Sequence, residues 1–115
     1  MAVLPLNTFR TITRDLLPQG IPTPVRIYTC PIGVTAIILL AQISNVGTDT
    51  GQVTFNHLRL TTSTSLVKEA LIPTNDALSV LSGRLVLEES DSIEIIGDPS
   101  QRLQVVISLV ESANT

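Results

Sequence analysis

Apolar and polar residues alternate along most of this chain, and where the alternation stops a proline, a glycine or a short Asn/Asp/Ser cluster stands. A period of two puts successive side chains on opposite faces of a strand, and such breakers bound strands. Phe9 to Leu17 reads as a first strand, followed by a turn punctuated by Pro18, Gly20, Pro22 and Pro24. Val25 to Cys30 resumes β-character, and Pro31 with Gly33 closes it. Val34 to Val46 carries Ile37, Ile38, Leu39 and Leu40 in succession, which predicts a central strand covered on both faces. Asn45 to Gly51 has loop composition. Gln52 to Thr61 alternates again, Val53 and Phe55 on one face and Thr54 and Asn56 on the other. A polar turn over Thr61 to Ser65 leads into Ser65 to Ile72, and Pro73 with Asn75 and Asp76 marks the next turn. Ala77 to Leu81 and Leu85 to Leu87 are short strands separated by Gly83, a glycine that, with β-branched neighbours, disfavours a helix there. After an acidic turn come Ile93 and Ile95, a turn over Gly97 to Ser100, and a last strand whose face is Leu103, Val105, Ile107 and Leu109; the final SANT reads as frayed.

About eight or nine short strands, with turns roughly 8 to 12 residues apart, predict an all-β fold: an antiparallel β-sandwich or a jelly-roll-like barrel. Valine, isoleucine and threonine fill 37 of the 115 positions, as a pleated, half-buried surface favours. The length suits one domain, divided here into an extended N-terminal arm over residues 1–8 and a single β-sandwich domain over residues 9–115. Pro5 favours the extended form of the arm. Val3, Leu4, Leu6 and Phe9 make this stretch more apolar than a free tail tolerates, and these four are the predicted partner-interface residues. They either cap their own domain or reach onto a neighbouring subunit, adding a strand or filling a groove.

Composition turns this fold prediction towards assembly. Charged residues are 15% of the chain, against roughly 25% in an average domain, and mean hydropathy is +0.39. A domain this small cannot bury so much apolar surface alone, so the surplus is predicted to lie at an interface, in a homo-oligomer such as a dimer or trimer. The net charge is −3, and the seven cations are never adjacent. With aromatic residues at 3%, neither a phosphate-tracking stripe nor a stacking platform is available, which argues against nucleic acid as a partner. The longest apolar run, Ala36 to Ala41, is far below the roughly 20 residues of a membrane span, and Met1 to Arg10 lacks a secretory pattern. A single cysteine, Cys30, forms no intrachain disulfide and fits a reducing cytosol.

Candidate chemistry is sparse. Glu88, Glu89, Asp91, Glu94 and Asp98 form the densest charged stretch, but their spacing matches no calcium loop, and a solvated hairpin turn that protects strand edges accounts for them better. His57 has no orienting partner or nucleophile placed beside it in sequence and reads as a packed or edge-exposed strand residue. Cys30 lacks a CxxC partner or nucleophile elbow and reads as a small buried hydrophobe. The glycines are dispersed among turns, which leaves no phosphate loop. No catalytic, cofactor-binding or metal residue is predicted, and the chain is read as a non-enzyme. Carbohydrate binding is disfavoured by the absence of tryptophan, and a jelly-roll metalloenzyme by the lone histidine.

Pro5-Leu6-Asn7-Thr8-Phe9, Tyr28-Thr29-Cys30-Pro31, the strand from Thr35-Ala36-Ile37 to Asn45, and Gly83-Arg84-Leu85-Val86-Leu87-Glu88 together resemble one family. It is the family of small β-sandwich virion structural proteins of tailed bacteriophages, notably those of cyanophages. The resemblance runs from about Leu4 to Glu111 and rests on strand pattern and turn placement, with no family active site to carry over. It implies a virion component assembled in the host cytoplasm, with the major capsid protein or other virion structural proteins as partners. Within that class it implies foremost a capsid decoration or cement protein bridging adjacent capsomers, and next a neck, tail or baseplate component. A ligand-binding sandwich for host adhesion is the alternative from another class.

Overall fold

The computed structural model describes residues 7–113. Among these residues the chain forms nine strands and no helix: β1 (Asn7–Leu16), β2 (Pro24–Thr29), β3 (Val34–Asn45), β4 (Gly51–Arg59), β5 (Thr62–Ile72), β6 (Ala77–Ser79), β7 (Leu85–Leu87), β8 (Ser92–Ile96) and β9 (Leu103–Ala113). They make two antiparallel sheets packed face to face. Sheet A has the order β1-β9-β3-β6, with β7 also pairing β3, and sheet B has the order β2-β8-β4-β5. Consecutive strands mostly change sheet, the winding of a jelly roll. The result is an open sandwich and not a closed barrel, because four strand edges stay unjoined among the described residues.

β6 and β7 lie end to end along one edge of β3: Ser79 faces Gln42 and Leu87 faces Ala36, with the non-strand residues 80–84 between them. They act as one strand broken around Gly83. Alternate residues of β3 and β9 enter the core, whereas the long edge strands β1 and β5 bury only Leu16 and Ile72. Ile38, Ile43, Val105, Ile107 and Leu109 of sheet A meet Val53, Phe55, Ile93 and Ile95 of sheet B, all essentially inaccessible to water.

Three expectations need correction. The Thr-rich stretch predicted as a turn is strand from Thr62 onwards, because Leu60, at a positive φ of 55°, and Thr61 make the reversal in two residues, leaving the other residues of the stretch free to pair. β9 continues through Ser112 and Ala113, which pair with Asn7 and Val34, so only Asn114 and Thr115 of the predicted frayed end lie outside the described residues. β3 is interior within its sheet but is covered on one face only. Ile38 and Leu40 are consecutive pairing positions across β9, so Leu39 is an extra, bulged residue, and Leu39 and Leu40 are both exposed.

Candidate functional site

Residues that face each other across an antiparallel pair share a side of the sheet, so the register identifies what each face presents. On the outer side of sheet A, Phe9 faces Val110, Val110 faces Ile37, and Ile37 faces Val86. This is an apolar row crossing four strands. Phe9 is 74% exposed and Val86 51%. The next row is Thr11, Ser108 and Leu40, and the one after it Thr13, Val106, Gln42 and Ser79. No charged side chain occurs in these three rows. The outer side of sheet B differs. Arg26 faces Glu94, Glu94 faces Asn56, and Lys68 and Glu69 lie where the β4–β5 register slips. The sandwich therefore has one polar broad face and one on which three successive rows are uncharged and partly apolar, bounded by the row of Asp15, which is ion-paired to Arg102; exposed apolar patches are a common feature of interaction surfaces.

Two charge networks brace the end of the sandwich where β1 begins. Asp91 is 2% exposed; it accepts hydrogen bonds from Arg59 Nε at 3.0 Å, Arg59 Nη2 at 2.7 Å and the Glu88 backbone N–H at 2.9 Å, and His57 Nε2 lies 3.1 Å away. The fork of Arg59 holds the Asp91 carboxyl well below the usual carboxylate range, against the opposing effect of burial, with the Glu88 N–H and His57 adding to it. Arg59 also reaches Glu88 at 2.6 Å. The backbone closes the same corner, Cys30 N–H donating to Asp91 O and Ser90 N–H to Cys30 O, each at 2.8 Å. Nearby, the Tyr28 hydroxyl donates to the Glu111 carboxylate, which also accepts from Arg10 at 3.1 Å, and the Arg10 guanidinium stands 5.8 Å from the Tyr28 ring centre. Burial first and the bond to Glu111 second push the Tyr28 phenol above its ordinary value.

The acidic stretch is thus not a solvated turn at Asp91; Glu88 shares Arg59 with it, and Glu89 and Asp98 are engaged elsewhere. Glu89 accepts from the Gly33 N–H, and Asp98 from the N–H groups of Gln52 and Ser100. Among the described residues no three His, Cys, Asp or Glu side chains are grouped as a metal would require. His57 is packed in β4 against Asp91. Cys30 is buried, as read from sequence, with its thiol directed at the Val34 and Leu87 carbonyls; burial raises its pKa and so disfavours the reactive thiolate. Of the predicted interface residues, Phe9 stands on the apolar row, while Val3, Leu4 and Leu6 lie outside the described residues. Sequence reading missed Ile37, Leu40, Val86, Val106 and Val110 as surface residues. The available signal was apolar content on both parities of the strands that hold them.

No family model matches the chain, and no curated protein matches it in sequence. Among solved structures, a chain of the disulfide-linked pili of Bacillus endospore appendages superposes with a TM-score of 0.57 at 16% identity, covering 100% of this chain and 98% of that one. A chain of the T13 infectious bursal disease virus particle superposes with a TM-score of 0.56 at 10% identity, covering 96% of this chain and 36% of that one. This chain thus spans about a third of the viral chain's length. At these identities the likeness is one of fold.

Proposed function

We propose that this chain is a non-enzymatic structural subunit of a virus particle, most specifically a capsid decoration or cement protein that bridges adjacent capsomers and stabilises the head. The outer face of sheet A, uncharged over three successive rows, carries the reading. It leaves Phe9, Leu40, Val86 and Val106 in water within a few neighbouring rows, and docking to other subunits would remove that apolar area from solvent. Phe9, together with Val3, Leu4 and Leu6 before it, belongs to the same partner surface in this proposal. A fold shared with a chain of a virus particle supports it, as does the resemblance to virion proteins of tailed bacteriophages.

The match over nearly the full length of a pilus chain favours a second reading within the structural class, an appendage component of the neck, tail or baseplate. The disulfide linkage named for those pili does not carry over, since the one cysteine of this sequence is buried.

Counting the chain against the major shell protein in purified particles tests both readings. Comparable abundance is the expected result for a cement protein. A count nearer a dozen per particle would move it to the neck or tail, and its absence would end the virion assignment.

A further inference from the structure

We propose that two copies of this chain pair through their β1 edges, antiparallel about a two-fold axis at Thr11, joining two copies of sheet A into one continuous sheet. The inference rests on the reading of the chain as an assembly subunit and names the first contact it makes.

A sheet edge offers unpaired N–H and C=O groups to another chain, and proteins that remain monomeric blunt such edges. Three of the four edges here are blunted. β6 and β7 are three residues each and are interrupted; β2 has six residues, starts at Pro24 and slips register between Arg26 and Tyr28; β5 slips register twice against β4, with Lys68 and a positive-φ Glu69 in the slip. β1 is different. Its ten residues pair with β9 without a register break, contain no proline, and are exposed along nearly all their length. Arg10 and Arg14 lie on its inner side, where edge charges usually discourage pairing, but Arg10 is already engaged by Glu111.

The charges on β1 select the register of self-pairing. Side chains facing each other must share a side of the sheet, so the axis passes through a residue and pairs odd positions with odd and even with even. An axis at Arg10, Arg14 or Asp15 puts a charge against its own copy, and an axis at Ile12 puts Arg10 against the partner's Arg14. The axis at Thr11 avoids every directly opposed like-charged pair while using nearly the whole strand. It sets Arg10 against the partner's Ile12, Thr8 against the partner's Arg14, Asn7 against the partner's Asp15, and Thr11 against the partner's Thr11. An axis at Thr13 also avoids like charges but overlaps only from Arg10 to Leu16 within the strand. On the outer side the Thr11 axis lays Phe9 on the partner's Thr13, an aromatic and β-branched pair of the kind that stabilises sheets, and makes the uncharged outer rows of the two copies continuous.

Mass in solution and site-directed crosslinking test this. The full chain should run at twice its 12.3 kDa protomer mass, and Thr11→Lys, which sets two ammonium groups together on an exposed position, should return it to a folded monomer whose cooperative melt no longer depends on protein concentration. Under mild oxidation, Thr11→Cys should form a dimer linked through residue 11, while Thr13→Cys should not; buried Cys30 stays unreacted in both. A monomer at high concentration, crosslinking at residue 13 instead of 11, or a dimer indifferent to Thr11→Lys would overturn the proposal. A monomer that still co-purifies with particles would remove this pairing and leave the structural-subunit reading standing, whereas absence from particles would remove that reading whatever the mass.

Discussion

At the scale of single residues, the most consequential side chain is Asp91. Its folded pKa lies below its unfolded one, which is near 4, so as pH falls the unfolded chain takes up the proton first. The stabilisation is complete above about pH 5 and declines progressively below pH 4. Replacing Asp91 by Ala leaves Arg59 half in water, so the loss comes from missing hydrogen bonds more than from a stranded charge, about 2 kcal/mol at pH 7. Urea midpoints at pH 7 and pH 2 check this: the gap between wild type and Asp91→Ala should narrow at the lower pH, and a constant gap would contradict the assignment. Tyr28 gives the opposite sign. Its folded pKa is raised, so its contribution is present below about pH 10 and lost as pH rises beyond it. Tyr28→Phe should cost about 1 kcal/mol at pH 8, and the variant should lose stability less steeply than wild type between pH 9 and 11 in thermal melts, roughly the range where a phenol titrates.

At the scale of elements, loops are fixed by single polar side chains from neighbouring strands. Asn45, 1% exposed at the end of β3, donates to the Asp49 and Ile72 carbonyls at 2.8 Å each and accepts from the Gly47 N–H at 2.8 Å. Gln101 enters the same β3–β4 loop, its Oε1 accepting from the Thr48 and Asp49 N–H groups. A Cβ on Gly47 would collide with that oxygen and displace it. Gly47→Ala should therefore destabilise by about 2 kcal/mol, while Gly83→Ala, in open space at the break between β6 and β7, should be neutral or gain about 0.5 kcal/mol. Chemical denaturation of the two variants side by side checks the contrast.

At the scale of the whole molecule, the two broad faces divide the work. Sheet B carries the more polar outer face and sheet A three uncharged rows, so, if the proposed docking is right, a change in those rows should alter association without altering the fold. Val86→Asp puts a charge at the far end of the apolar row from β1 and touches no core residue. It should keep the wild-type melting temperature and weaken sedimentation with particles at least about tenfold, whereas an equal loss of melting temperature would assign Val86 to the fold instead. The buried thiol gives a simple control: Cys30 should resist alkylation until the protein is denatured.

Most of this architecture was legible in one dimension. Period-two alternation in β4 and β9, breakers at Pro18 to Pro24 and Gly97 to Ser100, and β-branched content gave most strands and turns and the all-β class, because these depend on neighbours two residues apart, while the choice between sandwich and barrel waited for the sheet order. The outward exposure of Ile37, Leu40 and Val86 did not appear, since an apolar run reads the same whether a second layer covers it or a missing layer leaves it wet. Nor did the pairing of Arg59 with Asp91, or of Tyr28 with Glu111, 83 positions apart. Such contacts follow from sheet order and register, which accumulate over the whole chain. Local sequence decided what each strand is, and only the stacking of the sheets decided which of its sides would meet water.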